Sequence, residues 1–480
     1  MSTISQTVER FPMYIGGEFV ETERYDVVRL PYDGTPVGEV PHAGTADLEH
    51  AIAAAQEGAR DMAAMSNYER ADLLLKIRDY LVRDTEEFTR LICMETGKPI
   101  RESRVEAQRC AETLTAAAHE ARQLHGEVVP MEFSATGKGR MAITVREPLG
   151  VIGAITPFNV PLNLALHKIS PALAGGNAMI HKPSERTPLS ALRLARTFAE
   201  AGVPKGAYNV ITGNGPELGM GMVRHDGIDM ITFTGSVAIG TNIRSAAGLK
   251  KVTLELGNNS AVILEPDADL KTAVMRTTQG AFANSGQVCI SVQRVYAHAS
   301  IFDTFLEQLK ASTGKLKVGH PFEESTDVSS LIDEPAAVRV KDWIDEAVAA
   351  GATLVTGGHR DRATITPTIL TGVAPRARIS CQEVFGPVVA IYPYDKLDDA
   401  IATVNDTPYG LQAGIFTNDL VRAFSAARKL RFGGVLINDI PMFRADHMPY
   451  GGIKNSGLGR EGPRYAIEEM TESKIICWKV

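Results

Sequence analysis

Apolar and polar positions between residues 47 and 125 follow helical spacing. In NYERADLLLKIRDYLVRDTEEFTRLICMETGK (67–98), apolar residues return every three or four positions, which predicts amphipathic helices. Asn67 is the predicted N-cap of this stretch and Gly97 its stop, because asparagine caps helices and glycine ends them. This part of the chain is therefore predicted to be largely helical.

After residue 140 the spacing changes. RMAITVR (140–146) alternates like a strand, and LGVIGAI (149–155) is continuously apolar, as in a strand buried on both faces. Short apolar stretches then alternate with helical ones, and the predicted strands are NAMIHKP, YNVITG and MITFTGS. This alternation predicts βαβ units and a parallel sheet.

The pattern restarts near residue 250. KVTLELG and SAVILE are predicted strands, helices follow, and the later strands are VVAIYPY, GIFT and GVLIN. We expect a second α/β domain from about residue 251. The tail SKIICWKV (473–480) is predicted as a last strand that can pair with RMAITVR, as an arm or an oligomer contact.

Composition limits the class of protein. With 480 residues, 44% hydrophobic and 22% charged, the chain is typical of a globular protein of roughly two to four domains. A net charge of −7 without a lysine or arginine cluster argues against a nucleic-acid-binding protein. No apolar run reaches the ~18 residues of a membrane span, and the N-terminus lacks a signal-peptide pattern. We therefore expect neither a nucleic acid nor a membrane as partner.

The five cysteines, Cys93, Cys110, Cys289, Cys381 and Cys477, are widely spaced, and no CxxC occurs. This argues for free thiols in a reducing compartment, the cytoplasm, and against a disulfide framework or a metal site. Cys289 differs from the others because it ends the run QGAFANSGQVC, whose small residues let a ligand approach the backbone. Its thiol is either packed and inert or exposed and reactive.

Three stretches lie where strands of the first α/β unit end: ITPFN (155–159), HKPSE (181–185) and FTGSVAIG (233–240). Ligands of doubly wound sheets bind outside these carboxyl ends, and glycines at a strand-to-helix turn let N–H groups approach a phosphate. Lys182 can donate to ribose or phosphate, and Glu185 can accept from ribose hydroxyls while repelling a 2′-phosphate. GSVAIG is not the GxGxxG fingerprint, so ordinary tight turns stay an alternative.

Seven motifs follow one another along the chain: PFNVPL, HKPSE, FTGS, LELG, NSGQVC, QEVFGP and PYGGIKNSGLGRE. In these motifs the chain closely resembles the aldehyde dehydrogenase superfamily, NAD(P)-dependent oxidisers of aldehydes to acids, including its bacterial benzaldehyde-, vanillin- and semialdehyde-oxidising branches. The resemblance runs from METGKP (94–99) to the C-terminus. It departs at LELGNNS, where Asn258 replaces a common glycine; if that position needs a positive φ, asparagine is the best substitute.

The resemblance implies an α/β fold with a Rossmann-type cofactor domain, an α/β catalytic domain and a small β oligomerisation arm. The NAD-binding domain would comprise 1–122 and 146–250, the catalytic domain 251–455, and the bridging arm 123–145 and 456–480. It also implies a homodimer or homotetramer.

The resemblance also implies a mechanism in which a cysteine is the nucleophile. Cys289 would be the nucleophile, Glu255 the general base, and Asn159 an oxyanion-hole donor beside the Cys289 backbone N–H. The thiolate adds to the aldehyde, the thiohemiacetal oxyanion expels a hydride to nicotinamide, and water activated by the carboxylate hydrolyses the thioester. A base at Glu255 favours water over coenzyme A as acyl acceptor. Lys182 completes the implied catalytic set.

The implied cofactor is NAD, or NADP if Arg186 binds a 2′-phosphate, and no metal is implied. The residues implied to hold this cofactor are Ile155, Thr156, Pro157, Phe158, Asn159, Lys182, Pro183, Ser184, Glu185, Gly215, Gly219, Phe233, Thr234, Gly235, Ser236, Glu255, Leu256, Gly257, Cys289, Glu383 and Phe385.

The aldehyde tunnel implied by the resemblance is lined by Arg109, Val160, Leu164, His167, Val288, Ile290, Phe443, Arg444 and Tyr450. Two substrate classes stay open. One is an aromatic or aliphatic aldehyde, with the arginines solvated or paired to carboxylates. The other is an anionic semialdehyde whose carboxylate, sulfonate or phosphonate is held by Arg109, His167, Arg444 and His447.

Three other functions are weighed against oxidation to the free acid. Glu255 argues against a coenzyme A-acylating enzyme, and the intact catalytic residues argue against a silent relative. A cofactor-free cysteine hydrolase leaves HKPSE and FTGS unexplained.

Overall fold

The computed structural model describes residues 8–480. Its strands are β1 Met13–Ile15, β2 Glu18–Val20, β3 Tyr25–Arg29, β4 Pro36–Pro41, β5 Val128–Val129, β6 Arg140–Pro148, β7 Val151–Ile155, β8 Ala178–Lys182, β9 Tyr208–Val210, β10 Met230–Thr234, β11 Lys251–Glu255, β12 Ser260–Leu264, β13 Val292–His298, β14 Thr353–Thr356, β15 Arg360–Asp361, β16 Thr364–Ile365, β17 Thr368–Thr371, β18 Val388–Tyr394, β19 Gln412–Phe416, β20 Gly434–Ile437, β21 Gly457–Leu458 and β22 Thr471–Lys479.

The α-helices are α1 Thr45–Ala64, α2 Asn67–Arg83, α3 Thr85–Thr96, α4 Ile100–Gln123, α5 Asn163–Ala174, α6 Leu189–Ala201, α7 Met220–Arg224, α8 Val237–Ala246, α9 Leu270–Phe282, α10 Ala299–Thr313, α11 Glu334–Ala349, α12 Arg378–Cys381, α13 Leu397–Asn405, α14 Leu420–Lys429 and α15 Pro463–Glu469. Within residues 8–480, none of these helices is long and apolar enough to cross a membrane. The signal-peptide expectation rests in part on residues 1–7, which lie outside the described residues.

The first sheet has the strand order β2-β1-β9-β8-β7-β10-β11-β21. Strands β9, β8, β7, β10 and β11 are parallel. Side chains along β7 and β8 alternate between two cores, with Ile152 and Met179 in one and Val151 and Ile180 in the other. Helices therefore cover both faces, as the continuous apolar strands predicted. Between β7 and β10 the chain order reverses, which is where doubly wound sheets bind ligands.

The second sheet has the order β14-β17-β18-β13-β12-β19-β20 and begins at Ser260. Strand β11, which the restart of the pattern near residue 250 assigned to the second unit, instead extends the first sheet as the parallel neighbour of β10. That expectation was wrong because apolar spacing identifies a strand but carries no information about which sheet it joins.

A third sheet joins distant segments in the order β22-β6-β5. Strands β6 and β22 pair antiparallel over nine residue pairs, from Arg140 opposite Lys479 to Pro148 opposite Thr471. The predicted pairing of RMAITVR with SKIICWKV is therefore confirmed.

The helix boundaries follow local capping chemistry. Helix α2 begins at Asn67, but its N-cap is Ser66, whose hydroxyl accepts from the Glu69 N–H at 3.3 Å while the Glu69 carboxylate accepts from the Ser66 N–H at 2.7 Å. The predicted Asn67 cap is thus one residue too late, because serine with glutamate three residues on forms a reciprocal capping box. Gly97 ends α3 with a φ of 70°, as predicted.

Candidate active site

The carboxyl ends of β7, β8, β10 and β11 open into a cavity of about 690 Å3 between the two large sheets. The predicted residues that line it are Ile155, Thr156, Pro157, Phe158, Asn159, Leu164, Lys182, Ser184, Glu185, Gly215, Gly219, Phe233, Thr234, Gly235, Ser236, Glu255, Leu256, Gly257, Cys289, Glu383 and Phe385. Pro183 was also expected there but does not line the cavity; its carbonyl accepts a hydrogen bond from Lys182 Nζ at 3.1 Å.

The loop before Cys289 has a left-handed backbone. Asn284 and Gly286 have φ values of 48° and 74°, a region that few residues other than glycine and asparagine adopt easily. The Asn284 N–H donates to the Glu102 carboxylate at 2.7 Å. A Cβ on Gly286 would lie 2.1 Å from the Gly386 carbonyl oxygen. The small residues of this run therefore permit a close backbone approach that fixes the cysteine.

Asn159 lies against the same loop. Its Nδ2 donates to the Gln287 carbonyl at 2.8 Å, and the Asn284 side chain donates to the Asn159 carbonyl at 3.1 Å. An amide nitrogen carries two donors, so one N–H of Asn159 is left for a ligand oxygen near Cys289.

Glu255 ends β11 with its carboxyl group buried. Within residues 8–480 neither carboxylate oxygen has a hydrogen-bond partner. Burial, together with the charge of Glu461, raises the pKa of Glu255 well above its ordinary value. Gly451 leaves space beside it, since a Cβ there would lie 2.9 Å from Glu255 Oε1. A carboxyl group without partners is suited to exchange a proton with a ligand or water.

The Cys289 thiol lies 3.0 Å from the Tyr450 hydroxyl. Burial raises the pKa of the thiol to about 12, and the hydrogen bond from Tyr450 opposes this shift. The charge of Arg444 also acts to lower the pKa of Cys289. Val288, Ile290 and Tyr450 form a small apolar cluster around it.

One end of the cavity contains the groups expected to bind an adenosine ribose. Lys182 is buried, and its Nζ donates to Glu185 Oε1 at 3.3 Å; Glu185 Oε1 also accepts from the Gly215 N–H. Burial lowers the pKa of Lys182. The buried Thr234 hydroxyl has no partner in the described part of the chain, so it is available to a ligand in the cavity that it lines.

The other end is formed by the second unit. Glu383 Oε1 accepts from the Asn258 N–H at 3.0 Å, and burial raises the pKa of Glu383 to about 7. A Cβ on Gly257 would lie 2.5 Å from Glu383 Oε2. Phe385 packs edge-on to Phe158 with ring centroids 5.7 Å apart. With the ribose-type groups at the far end, the cavity fits an extended dinucleotide.

Asn258 does not adopt a positive φ, so the position does not need glycine. Its side chain has a structural function instead, because Nδ2 donates to Ser260 Oγ at 2.6 Å.

The cations predicted to face a substrate anion are paired with buried carboxylates. Arg109 donates to Asp446 at 2.7 and 3.2 Å, and His167 Nε2 lies 2.9 Å from the same carboxylate. Arg444 donates to Glu461 at 3.0 Å. Burial lowers the pKa of His167.

Several predicted substrate residues occupy other surroundings. Leu164 lines the dinucleotide cavity. Phe443 is exposed, and Val160 is half-buried directly after Asn159. His447 is exposed and lines a separate shallow pocket beside α4.

The sequence assigned no role to some residues of the site. Glu461 lies within the quoted motif GLGRE, but its partner Lys168 is distant in sequence. Nothing in the sequence pattern indicates Asp446. Cavity residues without a predicted role are Pro216, Met220, Ile239, Asn242, Ile243 and Arg339. Helical spacing after FTGS could have indicated those on α8. No cluster of potential metal ligands occurs within residues 8–480.

Comparison with known proteins defines the class. Residues 19–476 match the model of the Aldehyde dehydrogenase family. The 3-sulfolactaldehyde dehydrogenase of Priestia aryabhattai is 49% identical over 476 residues, covering 99% of each chain. Aldehyde dehydrogenase 21 from Physcomitrella patens, solved with the reaction product succinate, has a TM-score of 0.96 and 39% identity over 98% of this chain and 99% of that one. NADP-dependent glyceraldehyde-3-phosphate dehydrogenase from Bacillus halodurans C-125, solved with NADP, has a TM-score of 0.95 and 36% identity over 99% and 100%.

The chain therefore belongs to the aldehyde dehydrogenase family, and its fold is the α/β fold expected from the motifs. It is an NAD(P)-dependent oxidoreductase that acts on an aldehyde group.

Proposed function

We propose that the protein oxidises a short aldehyde bearing an anionic group to the carboxylic acid, with Cys289 as nucleophile and Glu255 as general base. The observation that carries the proposal is that Cys289, Glu255 and Asn159 face one cavity whose other residues fit a dinucleotide. Water is the proposed acyl acceptor because a carboxyl base is present.

In the proposed mechanism, the Cys289 thiol gives its proton to water. The thiolate then adds to the aldehyde carbon, and the carbonyl π electrons move onto the oxygen. The free N–H of Asn159 and the Cys289 backbone N–H stabilise the resulting oxyanion, and one such donor is typically worth about 3–4 kcal/mol. Bound NAD(P) supplies the hydride acceptor. Glu255 then takes a proton from the water that hydrolyses the thioester on Cys289.

Reduction of the cofactor tests this mechanism. We expect a substrate-dependent rise in nicotinamide absorbance with the wild-type protein and none with Cys289→Ala. Full activity in Cys289→Ala would overturn the proposed nucleophile.

The ion pairs of Asp446 and Glu461 support an anionic substrate. Three cations, Arg109, Lys168 and Arg444, pair with only two carboxylates, Asp446 and Glu461. Lys168 and Arg444 share the single carboxylate of Glu461, so these five groups together carry one net positive charge while Glu255 is protonated. The compounds named for the three compared proteins, 3-sulfolactaldehyde, succinate and glyceraldehyde-3-phosphate, are all anionic. The aromatic or neutral aliphatic class is the alternative.

Arg109 is the residue to test, because its side chain is 35% exposed whereas that of Arg444 is 8% exposed. We expect Arg109→Met to lower kcat/KM at least about tenfold, or ~1.4 kcal/mol, for a sulfonate or carboxylate aldehyde. A neutral aldehyde of the same length should be affected little. Arg104→Met is the matched control, since Arg104 lies on the same helix and pairs with Glu324 at the surface. Equal losses for charged and neutral aldehydes would contradict an anion site at Arg109.

We also propose that NAD is preferred over NADP. The Glu185 carboxylate, held by Lys182 and the Gly215 N–H, would repel a 2′-phosphate. Arg186, which could favour NADP, pairs with Asp333 at 2.8 Å. Measuring KM for NAD and for NADP with one aldehyde tests this preference. Glu185→Gln should reduce the difference between the two KM values. Equal KM values in the wild type would contradict it.

We propose a division into an NAD-binding domain (1–122 and 146–250), a catalytic domain (251–455) and a bridging arm (123–145 and 456–480). Strands β11 and β21 depart from these bounds, because they extend the first sheet. We further propose a homodimer or homotetramer in the cytoplasm. The five cysteines are free thiols in this structure, which supports a reducing compartment.

The outer strand of the arm supports self-association. Among the described strands β22 pairs only with β6, and its Ile475, Ile476 and Trp478 side chains are exposed. An edge strand with apolar side chains is a pairing surface. Light scattering should give a dimer or tetramer mass, and Ile476→Lys with Trp478→Glu should lower it. A monomeric wild type would overturn the proposal.

A further inference from the structure

The Tyr450 hydroxyl is placed for a function beyond lining the aldehyde site. Its Oη lies 3.0 Å from Cys289 Sγ, and within residues 8–480 neither atom has another hydrogen-bond partner. The Tyr450 side chain is buried, and burial raises its pKa well above the ordinary value, so the phenol keeps its proton. Since a thiolate can only accept, the phenol must donate to Cys289 once the sulfur is ionised.

Buried charged groups hold Tyr450 in this orientation. Its backbone exchanges hydrogen bonds with Glu461 at 3.0 and 2.7 Å. The Arg444 guanidinium lies 3.9 Å from the centroid of the phenol ring and is fixed by Glu461 at 3.0 Å. Glu461 also binds Lys168 at 2.7 Å. The ring is therefore clamped from its backbone and from one face, which leaves the hydroxyl directed at the sulfur.

We propose that Tyr450 is a further catalytic residue, whose hydroxyl donates a hydrogen bond to the Cys289 thiolate and favours its formation. The proposal rests on the proposed role of Cys289 as nucleophile. A hydrogen bond to an ionised group is about twice as strong as one between neutral groups, so the phenol stabilises the thiolate more than the thiol. It acts together with the charge of Arg444, which also lowers the pKa of Cys289.

Stabilising a thiolate also weakens it as a nucleophile, and the balance can be calculated. With a Brønsted coefficient of about 0.4–0.5, a tenfold larger thiolate population is accompanied by a roughly threefold lower intrinsic reactivity. Below the pKa of the thiol the net effect is a gain of about threefold. A better hydrogen-bond donor at position 450 should therefore give a faster Cys289, and a missing donor a slower one.

Alkylation of Cys289 by iodoacetamide, measured near pH 6–7 by mass spectrometry of its peptide, tests this order. Tyr450→Phe removes the hydroxyl, and 3-fluorotyrosine at the same position has a more acidic phenol. We expect the rate to fall about threefold in Tyr450→Phe and to exceed the wild-type rate with 3-fluorotyrosine. Tyr394→Phe is the control, since its hydroxyl binds the Leu264 carbonyl at 3.1 Å, away from the site, and we expect no change.

A Phe variant that alkylates as fast as wild type, or a fluorotyrosine variant no faster than wild type, would overturn the proposal. If Tyr450 acted only through packing, alkylation of Cys289 would be slowed in both variants or in neither. The rate would not follow the acidity of the phenol. If Tyr450→Phe does not fold, the fluorotyrosine variant still decides, because its ring is nearly unchanged in size. Alkylation uses no aldehyde or cofactor, so its result is separate from turnover by Cys289→Ala, which tests the nucleophile itself.

Discussion

Two glutamates of the site show how local partners set opposite properties for one residue type. Burial acts to raise the pKa of both carboxyl groups. For Glu461, the charges of Lys168 and Arg444 outweigh burial and hold its pKa below the ordinary value. Lys168 and Arg444 also act to lower the pKa of Glu255, but neither forms a hydrogen bond with it. Burial and the charge of Glu461 outweigh these cations, so the pKa of Glu255 is raised. One glutamate is thus a fixed structural anion and the other is free to exchange a proton.

Glu255→Gln should separate the two halves of the reaction. Glutamine cannot take a proton from water, but it leaves Cys289 and Asn159 in place. We expect a rapid burst of reduced cofactor of about one equivalent per site, followed by turnover slower by about 10²–10⁴-fold. Rapid-mixing absorbance measures the burst, and mass spectrometry detects the thioester. Cys289→Ala should give neither a burst nor a thioester. Turnover of Glu255→Gln at the wild-type rate would contradict the role of Glu255 as general base.

The raised pKa of Glu255 also predicts a pH dependence. Only the ionised carboxylate can act as base, so hydrolysis of the thioester should accelerate as pH rises through the pKa of Glu255. Because burial raises that pKa well above its ordinary value, we expect kcat to keep rising above pH 5, where an ordinary glutamate would already be ionised. Single-turnover hydrolysis measured against pH tests this directly. A rate that is flat between pH 5 and 9 would contradict a buried carboxyl base.

At the scale of elements, the loop between α9 and β13 is the part most constrained by backbone geometry. Gly286 has a φ of 74° and no space for a Cβ beside Gly386. Gly248, after α8, has a φ of 59°, but a Cβ added to it would meet no atom within 4 Å. The two glycines therefore differ in steric contact and not in backbone region.

Gly286→Ala should affect both stability and activity. A left-handed alanine costs about 1–2 kcal/mol in either Gly286→Ala or Gly248→Ala. In Gly286→Ala the loop must also move away from the Gly386 carbonyl, and a shift of ~1 Å at the nucleophile can cost about 100-fold in rate. We expect kcat to fall in this variant and to be unchanged in Gly248→Ala, with Tm measured for both. Equal kcat values would show that the loop tolerates the shift.

The elements differ in how far the sequence predicts them. Apolar spacing was enough for the strands at 151–155 and 178–182, and for the helix stop at Gly97, because these depend on local pattern and backbone preference. It did not assign β11 to the correct sheet, since both sheets use the same pattern. The motifs identified most of the residues that line the cavity. The contact of Tyr450 with Cys289 joins side chains 161 positions apart, and hydrophobic periodicity carries no information about such contacts.

At the scale of the whole molecule, two carboxylates in the segment after the second sheet bind cations on helices packed against the first. Asp446 pairs with Arg109 of α4 and His167 of α5. Glu461 pairs with Lys168 of α5. These buried pairs connect the two halves of the molecule behind the active site.

This connection predicts acid sensitivity. Burial acts to raise the pKa of Asp446, but the hydrogen bond from His167 and the charge of Arg109 hold it below the ordinary value, and Glu461 is likewise lowered by its cations. A carboxyl group whose pKa is lower in the folded state stabilises the fold fully above its unfolded pKa, about 4. That stabilisation is lost as pH falls toward the folded pKa.

Glu461→Gln should therefore lower stability at pH 7 by about 3–5 kcal/mol, because it leaves Lys168 and Arg444 buried with an uncharged partner. It should also flatten the fall in Tm between about pH 5 and pH 3. Asp398→Asn is the matched control, since Asp398 pairs with Lys429 at the surface and exposed pairs contribute about 0–1 kcal/mol. Thermal unfolding followed by calorimetry at several pH values measures both. If Glu461→Gln unfolds with the Tm and the pH dependence of the control, the buried ion pairs do not hold the two halves together, and the apolar contacts between them suffice.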